Sequence, residues 1–202
     1  MKFPPVRSSI TRRAASAAAV VALALALGAC SSSSKPGAAG TDCATTSANA
    51  KAVAALVQKG LQAQIAGNDT EAEKNFKEVL CSDAANKYAH YNLGLIYQNR
   101  GNNSDAEAEY DKALAADAKF GPALYNLAIV RTAAKDIDGA IALYRRAIVS
   151  NPKDSNAHFN LGLLLREQDQ TEEGNTEVQT AVNIDPSLRS KAIAQGVPLT
   201  GS

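Results

Sequence analysis

The chain of 202 residues has no tryptophan, one methionine, two histidines and three cysteines, and only 5% of it is aromatic. It has no Gly-rich phosphate loop, and no serine, cysteine or aspartate stands in a recognisable nucleophile setting, so neither nucleotide chemistry nor covalent catalysis has a starting point. Basic residues form no excess: 21 Lys plus Arg against 20 Asp plus Glu leave a formal charge of +1. Without a basic face or a recognised motif, a nucleic-acid partner is excluded. No apolar run reaches the about 20 residues that a helical bilayer span requires; the longest, Ala14 through Ala29, has 16.

That short run is informative for its flanks. Ahead of it stand Lys2, Arg7, Arg12 and Arg13 with no acid, the layout of a cleaved export signal over residues 1–29. It closes in Leu27-Gly28-Ala29-Cys30, which resembles a bacterial lipobox. The resemblance implies that Cys30 receives a diacylglyceryl group and becomes the mature N-terminus, making the chain an exported, membrane-anchored lipoprotein on the extracytoplasmic side of a bacterial envelope. Arg12-Arg13 suits the twin-arginine route, but no bulky apolar residue follows the pair, and general secretion stays open beside it. Without the signal, 17 Lys plus Arg face 20 Asp plus Glu, or −3. Residues 30–45 then form a tether. Its stretch SSSSKPGAAGTD, Ser31 to Asp42, cannot bury enough apolar surface to offset its ordering entropy, and such a chain spans on the order of 20 Å.

The rest of the chain repeats. AHYNLGLIY (Ala89 to Tyr97) returns 34 residues later as ALYNLAIVR (Ala123 to Arg131) and again as AHFNLGLLL (Ala157 to Leu165), with a worn copy, ALVQKGLQA, at Ala55 to Ala63. Four units of equal length cover 53–86, 87–120, 121–154 and 155–188. His90, Leu93, Gly94 and Tyr97 share one face of a first helix, and Ala106, Tyr110, Ala113 and Leu114 one face of a second. The eighth place is always small (Gly60, Gly94, Ala128, Gly162), and so is the twentieth (Ala72, Ala106, Ala140, Gly174). Glycine inside a helix costs about 1 kcal/mol against alanine, so its return signals close approach of two helices. Bulk at the twenty-fourth place (Phe76, Tyr110, Tyr144) is expected to fill the space between hairpins. A 34-residue period with a Leu-Gly pair in its first half resembles the tetratricopeptide family. The resemblance implies an all-α solenoid of four helical hairpins in a right-handed superhelical stack, the first helices lining the concave side. The domain is expected over 46–195, with a short capping helix over Ser187 to Gln195 and a fraying tail over 196–202. The fourth unit departs furthest from the pattern, with Gly174 and Val178, and its second helix is expected to be the least stable.

A second face of each first helix is also apolar: Tyr91 and Leu95, Tyr125 and Ile129, Phe159 and Leu163. Either neighbouring helices pack through these residues, or they also touch a partner. Between them recur Gln58, Asn92, Asn126 and Asn160, all at the sixth place. In some members of the family such amides form a ladder to an extended peptide, since an amide both donates and accepts. No basic cluster is placed to clamp a terminal carboxylate. His90 and His158 lie two units apart, too far for a shared zinc, and read as structural. Asp169 to Thr180 resembles a calcium loop only faintly, because Thr180 stands where a bidentate Glu is needed. Neither metal nor cofactor is expected. Cys43, just ahead of the first helix, and Cys81, near the end of its antiparallel partner, are expected to form a disulfide, which an exported protein favours. Together these readings describe a membrane-tethered scaffold or assembly factor that binds a protein or peptide. A self-associating structural lipoprotein is the alternative, with an enzyme or small-molecule binder behind both.

Overall fold

In the computed structural model, which describes residues 50–200, the 34-residue period is visible in where the helices begin. The second helices are α2 (Asp69–Ser82), α4 (Asn103–Ala116), α6 (Ile137–Ser150) and α8 (Thr171–Ile184). The first helices are α1 (Ala50–Ile65), α3 (Lys87–Asn99), α5 (Gly121–Ala133) and α7 (Ser155–Glu167). After α8 come a single 3-10 turn (Pro186–Leu188) and the short α9 (Arg189–Ala194). Each first helix packs on the second helix of its own hairpin, and each second helix on the first helix of the next. The result is an all-α solenoid of four hairpins. Among the described residues no helix is long and apolar enough to cross a membrane. The expected export signal, Cys30, the tether and Cys43 lie outside the described residues.

Local chemistry sets these boundaries. Asn86 and Asp154 cap α3 and α7, their side-chain oxygens accepting from the backbone N–H of Ala89 and Ala157 at 3.0 Å; Asn68 and Asp136 do the same for α2 and α6. Such a cap contributes about 1 kcal/mol. All four first helices end alike. Gly67, Gly101, Lys135 and Asp169, again 34 apart, take a positive φ. The next N–H reaches back five residues, as from Asn102 to the Tyr97 carbonyl at 2.9 Å, which satisfies carbonyls the helix end would leave unpaired. The faint calcium loop dissolves here: Asp169 is this terminator, and Thr180 lies inside α8, its hydroxyl donating to the Thr176 carbonyl.

The small residues do what their recurrence demands. A Cβ on Gly60 would sit 2.7 Å from the Phe76 ring, and one on Gly94 2.5 Å from the Tyr110 ring. The rings therefore lie on the eighth place of their own hairpin, not chiefly between hairpins as expected. Tyr110 stays tied there by its hydroxyl, which donates to Gln98 Oε1 at 2.6 Å. The fourth hairpin solves the problem differently. With Val178 in place of an aromatic ring, Gly162 and Gly174 face each other, and a Cβ on Gly162 would be 2.6 Å from the Gly174 carbonyl oxygen. Gly174 and Val178 are both buried, so the unit's departures from the pattern give α8 a closer seat on α7, not a looser one.

Hairpins are joined by buried apolar side chains and by polar ties between them. Glu73 on α2 meets Arg100 beyond α3, Glu107 on α4 meets Arg131 on α5 at 2.6 Å, and Arg145 on α6 meets Glu173 on α8 at 2.8 Å. All are partly exposed, so each contributes at most about 1 kcal/mol. Burial tends to raise the Glu73 carboxyl, but Lys77 and Arg100 outweigh it and hold the group below its ordinary value. The histidines are ties of the same kind. His90 pairs through Nδ1 with Glu109 Oε2 at 2.6 Å and through Nε2 with the Ala84 carbonyl at 3.0 Å; His158 repeats the arrangement with Glu177 and the Pro152 carbonyl. Each buried ring thus fastens the loop entering its hairpin to the second helix. Among the described residues no group of three or more His, Cys, Asp or Glu is placed to hold a metal.

The C-terminal end corrects one expectation. Residues 196–200 do not fray: Val197 is 4% exposed and packs with Phe159, Val178 and Ala192, while the Thr200 N–H and hydroxyl both donate to Gln179 Oε1. Arg189 opens a fifth period, 34 residues after Ser155, and Gly196 falls at its eighth place. There the helix is cut short by the same terminator, Gly196 at φ +67° with the Val197 N–H bonded to the Ala192 carbonyl. The cap is a truncated first helix followed by a docked strap.

Candidate partner-binding face

The first helices are linked to one another directly. Asn126 on α5 donates from Nδ2 to Tyr91 Oη on α3 at 3.2 Å, and Asn160 on α7 donates to Tyr125 Oη on α5, also at 3.2 Å. Asn126 also donates to its own helix at the Pro122 carbonyl, and Asn160 to Tyr144 Oη. The sixth-place amides are therefore not bare rungs. Their N–H groups are used inside the array, while no hydrogen bond to Oδ1 of either residue forms among the described residues. Asn92 is buried and donates to the Tyr88 carbonyl; Gln58 is exposed on α1.

The tyrosines complete what the amides leave undone. Burial raises the pKa of Tyr91, partly offset by the Asn126 bond, and likewise of Tyr125, offset by Asn160; burial pushes Tyr144 up to about 12. These phenols keep their protons at physiological pH, so Tyr91 and Tyr125 accept from asparagine and still carry an O–H to donate. Each Asn–Tyr pair thus offers one acceptor and one donor side by side, the complement of a peptide group. Asn126 with Tyr91 makes one such pair and Asn160 with Tyr125 the next. Leu95 and Ile129, half-buried, pack into the central core beside them, so the packing reading holds for these side chains.

Phe159 and Leu163 are placed otherwise than expected. Phe159 is 1% exposed beneath the C-terminal cap, with Lys191 Nζ 4.7 Å from its ring centroid, and Leu163 packs in the same cluster. The cap occupies the ground where a partner was expected to touch Phe159. In exchange the structure adds residues not singled out from sequence. The exposed Tyr88 stacks edge-on against Phe120 at 5.6 Å, Tyr91 does so at 5.4 Å, and Lys87 Nζ lies over both the Tyr88 and Phe120 rings while pairing with Asp117. Phe120 stands where the neighbouring units carry their capping Asn86 and Asp154, and that substitution was the available signal.

A solenoid of helical hairpins with recurring small residues at their crossings, terminated alike in every unit, defines an α-helical repeat protein. A tetratricopeptide repeat family model matches residues 57–119 and a second, a TPR repeat, matches 130–169; the chain belongs to the tetratricopeptide repeat proteins. A search of the curated proteins finds no match. Among solved structures the chain is similar to Pseudomonas aeruginosa pilF, with a TM-score of 0.63 and 24% identity over 70% of this chain and 65% of that one. It is similar to MamA from residue 41 onward of Desulfovibrio magneticus RS-1, with a TM-score of 0.61 and 22% identity over 71% and 85%. It is also similar to YrrB, described as a TPR protein with an unusual peptide-binding site, with a TM-score of 0.60 and 21% identity over 65% and 68%. At these identities the likeness is one of fold.

Proposed function

We propose that this protein is a membrane-tethered, extracytoplasmic scaffold or assembly factor that holds an extended segment of another protein along the inner face of its first helices. The observation that carries the reading is the pair of Asn–Tyr couples, Asn126 with Tyr91 and Asn160 with Tyr125, each with an acceptor and a donor left over. Neighbouring helices lie roughly 10 Å apart and an extended chain rises about 3.3 Å per residue, so the couples meet a peptide about every third residue. The partner is to be found by crosslinking in the native envelope followed by mass spectrometry, then titrated against the Tyr91→Phe/Tyr125→Phe double variant. The rings and their packing remain, and only two hydroxyls are removed. The expected loss of affinity is about 5-fold to 150-fold, or 1 to 3 kcal/mol, with the melting temperature within a few degrees of the parent. Unchanged affinity in the folded variant refutes the reading.

The tether is proposed on Leu27-Gly28-Ala29-Cys30, with attachment by two or more acyl chains, since one alone binds only marginally. Cys30→Ala is expected to abolish lipidation and leave the signal uncut. Fractionation with membranes at the mature mass would defeat this.

A further inference from the structure

Two recesses open at the joints between hairpins, away from the Asn–Tyr couples, and they are copies of each other one period apart. The first, of ≈ 480 Å³, is lined by Ala84, His90, Lys112 and Ala115 among others. The second, of ≈ 490 Å³, is lined by Ala118, Leu124, Arg146 and Val149, each 34 residues after its counterpart, with Lys119 and Arg145 at its rim. Both volumes fall in the range that takes a ligand's side chains.

We propose that the recess at the joint of the second and third hairpins is a separate docking site for a partner peptide that carries a carboxylate beside an apolar side chain. Charge is the first reason. Arg145 is paired with Glu173, but Lys119 and Arg146 have no carboxylate at ion-pair distance among the described residues. Arg146 spends one Nη2 bond on the Ala118 carbonyl at 3.1 Å, which fixes the guanidinium at the recess and leaves further N–H groups for a bidentate carboxylate. Apolar surface is the second reason. Val149 is 79% exposed at the end of α6, in a chain whose other large side chains are mostly buried, and Leu124 forms a buried wall. A bilayer surface is met by a protruding face, whereas a recess accepts an inserted side chain, so the shape favours a peptide over a membrane. In the first recess Lys112 and His90 are both already bound to Glu109, at 2.7 and 2.6 Å, and the rest of the lining is Leu80 and alanines, which suits an apolar side chain. Hairpins stacked roughly 10 Å apart place the two recesses about three extended residues from one another.

The test uses the full chain, with two fluorescein-labelled peptides, Leu-Ser-Ser-Leu-Glu-Glu and Leu-Ser-Ser-Leu-Lys-Lys, in fluorescence anisotropy. The acidic peptide is expected to bind, more weakly at high salt, and the basic one not. Lys119→Glu/Arg146→Glu and, separately, Val149→Asp are each expected to weaken binding about ten-fold or more, whereas Tyr91→Phe/Tyr125→Phe leaves it unchanged. Val149→Asp alters no packed residue, so it reports on the site even if the double charge reversal unfolds the chain. Equal binding of the two peptides, or binding untouched by Val149→Asp, overturns the proposal. So does a loss caused by the inner-face variant, which would place the peptide on the Asn–Tyr couples. Binding of phosphatidylglycerol vesicles with no binding of the acidic peptide would assign the patch to a lipid surface and also overturn it.

Discussion

Gly162→Ala is expected to destabilise the protein by about 1 to 3 kcal/mol, lowering the melting temperature by about 3 to 10 °C, although helix propensity alone forecasts a gain of about 1 kcal/mol. The two effects have opposite signs, and geometry decides between them. A new methyl at residue 162 would lie 2.6 Å from the Gly174 carbonyl oxygen and 2.9 Å from the Val178 backbone nitrogen. Both are main-chain atoms of α8, so no rotamer change relieves the clash and the two helices must separate. Gly94→Ala is the control. Its methyl would meet the Tyr110 ring, a side chain that can tilt, and the third hairpin already carries Ala128 opposite Tyr144 at the same two places. That variant is expected to move the melting temperature far less. Thermal melts by circular dichroism on both variants test the pair; a Gly162→Ala protein as stable as the parent would show that the α7–α8 contact yields.

Much of this architecture was legible because the period is strict. The small residues at the eighth and twentieth places implied close helix crossings, and the crossings are there. What the sequence hid was the direction in which side chains reach. Tyr91 with Asn126, and Tyr125 with Asn160, are each 35 residues apart, so the partner of a sixth-place amide is the fifth-place aromatic of the preceding unit. The amides, examined by themselves, suggested a ladder with free donors. Phe159 holds the same fifth place without a hydroxyl, and beyond it the chain supplies its own cover. The fragment from Arg189 to Val197 is a fifth first helix in register, but too short and too altered for its place in the period to be noticed. Phe120 was missed because its effect depends on where the loop delivers it, beside Tyr88 and Tyr91, and no periodicity encodes that.

The first hairpin is where a covalent link would matter most. Stability in a repeat array is a sum of unit and neighbour terms, and among the described residues α1 has no preceding hairpin; Gly60 is its one buried residue. We propose that Cys43 and Cys81 are bridged, closing a loop of 39 residues around α1 and most of α2. Cys81 stands at the penultimate position of α2, and if Cys30 carries lipid, Cys43 is the cysteine left to pair with it. A loop of this length corresponds to about 4 kcal/mol in the chain-entropy treatment, with strain in the folded state able to reduce it. The gain is expected to be local. In Cys43→Ser, amide exchange over α1 and α2 should accelerate strongly while α4 to α8 keep their protection, because those helices draw support from neighbours on both sides. Cys81 is exposed on its helix, so Cys81→Ser should reproduce the effect without a packing loss of its own. Mass spectrometry of the unreduced protein should show two hydrogens fewer than the reduced form. Two alkylatable thiols in freshly exported protein, or exchange over α1 and α2 unchanged in both variants, would end the proposal.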